Sequence, residues 1–65
     1  MEKQKLEMEL KKQRWTITAF AKELGVDRRT IYNYLEGNTK PSPEIIEKIA
    51  EILEISKKQA TKLFE

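Results

Sequence analysis

Arg28, Arg29, Tyr32 and Asn33 are the residues best placed for chemistry. On a helix beginning at Arg28 they lie on the outward face, away from Ile31, Tyr34 and Leu35. A guanidinium can donate two hydrogen bonds to guanine O6 and N7. A carboxamide can pair with adenine N6 and N7, and a tyrosine alongside can touch a thymine methyl or a phosphate. Two cations in the first turn of a helix oppose its dipole unless an anion is near. A purely solvated helix start is therefore the weaker reading of Arg28-Arg29. Other chemistries lack their residues: the chain has no cysteine, no histidine and a single aspartate. That removes Ser-His and Cys-His catalysis, most zinc sites and any disulfide. An enzyme would have to work from Glu, Lys and Tyr within 65 residues, too few to enclose a substrate. No catalytic residue, metal site, cofactor or small-molecule ligand is expected.

Residues 17–36 must position that outward face. Phe20, Ala21 and Leu24 form one apolar face, and Val26, Ile31, Tyr34 and Leu35 another. They meet at Gly25, where a helix ends and positive φ is expected. Ala21 is small, as two closely crossing helices require, and Asp27 restarts the chain as an N-cap. Two helices around a glycine turn make a helix-turn-helix unit.

The remainder reads as three further helices, with no strand pattern and no repeat. Residues 2–14 are rich in good helix formers, with Leu6 and Leu10 stacked at i, i+4. Thr16 is the expected N-cap of helix 17–24, with Trp15 and Phe20 at the hydrophobic-staple positions. Trp15 is read as a half-buried core residue rather than a base-stacking one. Helix 28–36 ends at Gly37, and residues 37–42 form a loop. Ser42-Pro43-Glu44 starts a helix over 43–54, whose stripe is Ile45, Ile46, Ile49, Ala50 and Leu53. Ser56 and Gln59 have capping-box spacing for a last helix over 57–64. Ala60, Leu63 and Phe64 point one way and either close the core or form a dimer patch.

Net charge is +2, but its distribution is uneven. Residues 11–43 carry Lys11, Lys12, Arg14, Lys22, Arg28, Arg29 and Lys40 against Glu23, Asp27 and Glu36. The basic excess sits on the half with the turn, as a polyanion-binding face requires, though charge alone fits ordinary solvated side chains equally well. No run of about 20 apolar residues exists to span a membrane.

As a set, Phe20, Ala21, Leu24, Gly25, Val26, Ile31 and Tyr34 resemble the helix-turn-helix domains of phage Cro proteins and phage repressors. The Gly37…Pro41 loop and the Ile45…Leu53…Ile55-Ser56 pattern extend the resemblance over residues 4–58. It implies an all-α fold, a compact five-helix domain like that of lambda repressor, with helix 28–36 entering the DNA major groove. It implies base contacts from Arg28, Arg29, Asn33 and Tyr32. It implies phosphate contacts from Thr16, Ile17, Thr18, Asn38, Thr39, Lys40 and Ser42. Two departures stand out. Ile17 occupies a position where many relatives carry a phosphate-binding glutamine. Leu10 and Leu35 occupy positions where relatives commonly pair arginine with glutamate, so the two leucines are expected to touch in the core.

The leading functional expectation is a sequence-specific regulator of transcription, a repressor binding a palindromic operator in double-stranded DNA as a homodimer. Ile52, Ile55, Leu63 and Phe64 are the candidate dimer residues. The protein is expected in the cytoplasm, bacterial or phage-encoded. Two alternatives remain: a protein-interaction module of the same fold, and the DNA-binding fragment of a longer regulator.

Overall fold

A computed structural model describes residues 5–65 and places five helices. These are α1 (Lys5–Lys12), α2 (Ile17–Leu24), α3 (Arg28–Glu36), α4 (Pro43–Leu53) and α5 (Lys57–Lys62). The expected start of α1 at residues 2–4 lies outside the described residues. The order and number of helices match the sequence reading. α2 packs on α3 and on α4, and α4 packs on α5. The core holds Leu6 and Leu10 from α1, Phe20, Ala21 and Leu24 from α2, Ile31 from α3, Ile49, Ala50 and Leu53 from α4, and Ala60 from α5. Every helix contributes to it, so α3 is held from behind by the whole domain.

Three helix ends need correcting. α1 stops at Lys12 rather than residue 14, α4 at Leu53 rather than residue 54, and α5 at Lys62 rather than residue 64. For α1 and α4 the cause is a left-handed residue, Arg14 at φ 63° and Glu54 at φ 57°. Each closes the double hydrogen bond that Gly25 and Gly37 close after α2 and α3. The N–H of Trp15 reaches Leu10 O at 2.8 Å, that of Val26 reaches Ala21 O at 3.0 Å, that of Asn38 reaches Asn33 O at 2.9 Å, and that of Ile55 reaches Ala50 O at 3.0 Å. This is the Schellman stop, usually completed by an apolar residue just beyond the left-handed one. Trp15, Val26 and Ile55 fill that position and pack on the core. The fourth, Asn38, is exposed and polar.

Among the N-caps, Thr16 Oγ1 accepts from the Ala19 N–H at 3.1 Å and Ser42 Oγ from the Ile45 N–H at 3.3 Å. Ser56 and Gln59 form the full capping box. Asp27 departs from expectation, because its carboxylate makes no capping bond. The Thr30 N–H it would have taken goes instead to Asp27's own carbonyl, at 2.9 Å. The staple is present: the Trp15 and Phe20 rings meet edge to face, 5.8 Å between centroids. One long-range polar tie has no signature in the local sequence pattern. Gln13 Nε2 donates to Glu9 Oε2 at 2.8 Å and to the Leu53 carbonyl at 2.9 Å, fastening the end of α1 to the end of α4.

Candidate nucleic-acid interface

α3 is held on one side by Ile31, which is fully buried, and more loosely by the half-buried Tyr34 and Leu35. That anchoring turns Arg28, Arg29 and Tyr32 outward, and all three are exposed. Tyr32 is 47% exposed, which for a large aromatic side chain leaves half its surface to solvent. Asn33 is half-buried beside them. Asp27, Arg28, Arg29 and Tyr32 line a shallow hollow, and a groove alongside is lined by Thr18, Ala21, Lys22, Val26, Asp27 and Arg28. The turn at Gly25 thus brings the start of α3 beside α2.

The electrostatics of this face favour an outside anion. The first turn of α3 contains no acidic residue. Each cation placed there works against the helix dipole by about 0.3–1 kcal/mol. The one ion pair among the described residues, Lys57 Nζ to Glu47 Oε2 at 3.1 Å, lies between α4 and α5. Neither arginine is therefore neutralised by that pair. Asp27, freed from capping duty, is the nearest acid in sequence and lies at the edge of the hollow.

The expected phosphate-contacting residues divide. Thr16, Thr18, Asn38, Thr39, Lys40 and Ser42 are exposed. In Thr16 and Ser42 the hydroxyl oxygen accepts the cap bond, which leaves the hydroxyl proton free to donate to a phosphate oxygen. Ile17 differs: its side chain is half-buried and packs against the core. What remains for a ligand at that position is the first-turn N–H, which has no partner within the helix. Asn38 is partly spent inside the chain. Its Nδ2 donates to Glu36 Oε1 at 3.2 Å and approaches Asn33 Oδ1 at 3.5 Å, leaving the Asn33 Nδ2 unspent. The loop carrying these residues is pinned by Pro41, which is buried.

Lys22 and Asp27 join this face although sequence reasoning did not assign them to it. The signal for Lys22 was its position one turn after Thr18 on α2. For Asp27 there was none, since its sequence context reads as an ordinary cap.

The dimer candidates Ile52, Ile55, Leu63 and Phe64 are all half-buried and packed against the core. Phe64 meets Tyr34 edge to face at 5.8 Å, which ties the chain beyond α5 to α3. The burial of Tyr34 raises its phenol pKa above the ordinary value of 10.0, because the charged form loses hydration there. Leu10 is fully buried, and Leu35 is half-buried against the same core. No helix among the described residues is long and apolar enough to cross a membrane.

A family model described as helix-turn-helix matches residues 6–58, most of the chain and every residue from the second residue of α1 to the second residue of α5. Comparisons with curated proteins and with solved structures return no match.

Proposed function

Because the chain belongs to the helix-turn-helix family of Cro proteins and repressors, a family of DNA-binding domains of transcription regulators, we propose that it is a sequence-specific repressor that binds a palindromic operator as a homodimer. The observation that carries this reading is the outward row of α3. Arg28, Arg29 and Tyr32 stand exposed at the start of a helix whose opposite side is fixed in the core, with Asn33 beside them. Arg28 and Arg29 grip guanine edges, Asn33 pairs with adenine, and Tyr32 lies against a thymine methyl or the backbone. Thr16, Thr18, Asn38, Thr39, Lys40 and Ser42, with the Ile17 N–H, hold phosphates and set the register of docking. The polar character of this face argues against a protein-binding role for it.

Size supports the dimer. The body measures 24 × 23 × 22 Å, whereas neighbouring major-groove half-sites on one face of the duplex lie about 34–36 Å apart. One copy reaches one groove, and a second copy on the same DNA face reads the other half. Residues from Ile52, Ile55, Leu63 and Phe64 are the proposed contact, each using the part of its surface that the core leaves uncovered. The cytoplasm, where DNA is reached directly, is the proposed location.

Selection from a pool of random duplexes tests the whole reading. A two-fold symmetric site should emerge, and affinity for it should fall with salt by a log–log slope of about 0.9 per phosphate contact. Sedimentation of the complex should give two chains per site. Failure to enrich any sequence at moderate salt would defeat the proposal.

A further inference from the structure

Two large apolar side chains are exposed among the described residues, Tyr32 and Met8. Tyr32 belongs to the DNA face. Met8 does not: it is 68% exposed on α1, and the hollow it lines is completed by Lys5, Glu9, Lys12, Lys62 and Leu63. None of these residues lies on α2 or α3. The spacing of Lys5, Met8, Glu9 and Lys12 places them on one face of α1, next to Lys62 and the half-buried Leu63 at the end of α5.

Among the described residues the charge around Met8 is mostly basic. Lys5, Lys12 and Lys62 have no ion-pair partner among the described residues. The one acid of the hollow among the described residues, Glu9, has its Oε2 engaged by Gln13 Nε2 at 2.8 Å, which draws it toward the α1–α4 tie. The result is a thioether and a leucine edge in a hollow lined by three lysines and one glutamate. A phosphate backbone would use the lysines but gain nothing from the thioether. A lipid surface needs a broad apolar face, whereas the outward side of α1 offers one methionine. Methionine suits a contact with a varied apolar partner, because it is unbranched, flexible and polarisable.

We propose that the Met8 hollow docks an acidic segment of a protein partner, in which one apolar side chain sits on Met8 and Leu63 between carboxylates that meet Lys5, Lys12 and Lys62. It shares no residue with the DNA face, so α3 can stay in the groove while the partner is held; Leu63 is the one residue it has in common with the proposed dimer contact. The inference stands independently of which DNA sequence α3 reads.

The test is selection of displayed helical peptides on the intact protein, followed by anisotropy measurements with the winning peptides. Enriched peptides should carry Asp or Glu on both sides of a Leu, Phe or Trp. Met8→Ser should weaken them about tenfold, as expected for losing the burial of one apolar side chain. Joint replacement of Lys5, Lys12 and Lys62 by Gln should weaken them comparably and flatten the salt dependence. Both variants change exposed residues and should keep the parent's Tm, and the Met8 methyl NMR signal should shift on binding. Four results would overturn the proposal: no acidic pattern in the winners, equal binding to Met8→Ser, displacement of the peptides by duplex DNA or anionic phospholipid vesicles, or loss of self-association alone in Met8→Ser.

Discussion

The four Schellman stops allow one backbone conformation to be tested with opposite signs in one domain. Gly25 at φ 86° and Gly37 at φ 78° occupy it with glycine, whereas Arg14 at φ 63° and Glu54 at φ 57° occupy it with side chains. A Cβ added at Gly25 or Gly37 would meet nothing within 4 Å. The cost of Gly25→Ala is therefore backbone strain alone, with no clash. Left-handed backbone costs a residue with a Cβ about 1–2 kcal/mol. Alanine recovers about 0.4–1 kcal/mol by restricting the unfolded chain. The difference leaves Gly25→Ala destabilising by about 1 kcal/mol. The same subtraction run backwards makes Glu54→Gly stabilising by about as much, since Glu54 is exposed and takes no part in the one ion pair. In a domain of this size each change should move Tm by about 4–8 °C, in opposite directions. Urea unfolding with unchanged m would show that stability, and not the extent of unfolding, had changed. If Gly25→Ala were neutral, or Glu54→Gly destabilising, positive φ would not be what limits these positions. The account of how the helices are terminated would then fail.

Other expectations follow from particular contacts. Arg29→Ala should cost about 1–3 kcal/mol of DNA affinity and relax preference at one base pair, read by repeating duplex selection on the variant. Leu35→Glu puts a carboxylate against the core where no cation answers it, and should cost about 2–3 kcal/mol in urea unfolding; Tm equal to the parent's would show that Leu35 is not part of the core. Gln13→Ala removes the donor on the Leu53 carbonyl and should cost about 1–2 kcal/mol by calorimetry. Gln13→Glu should be no better, because a carboxylate cannot donate that bond. Tyr34 keeps its proton more firmly when folded than when unfolded. Its contribution to stability is present below the ordinary phenol value of 10.0 and is lost as pH climbs through and above it. Alkaline unfolding curves of Tyr34→Phe should lack that part of the decline.

Local signals made most of the fold legible. Thr16, Ser42 and Ser56 start helices because a hydroxyl can take an N–H three residues on, and Gly25 and Gly37 end them because only glycine is unstrained at positive φ. Both facts lie within a few residues of chain. The apolar spacing of Phe20, Leu24, Ile31, Ile49 and Leu53 likewise named core residues, since helical geometry turns that spacing into one buried side. The outward placement of Arg28, Arg29 and Tyr32 followed from the same periodicity. What the sequence could not show depended on contacts between distant segments, or on conformations that side-chain type disfavours. Arg14 and Glu54 adopt left-handed backbone because Trp15 and Ile55 must reach the core beyond them. Gln13 caps a carbonyl 40 residues away. Asp27 looked like a cap, but the main chain satisfied its target first. Met8, one ordinary surface position in the sequence, becomes part of a basic-rimmed hollow only when the end of α5 is brought against α1. Helix type and capping are properties of short stretches of chain, whereas those pairings are settled only when the domain closes.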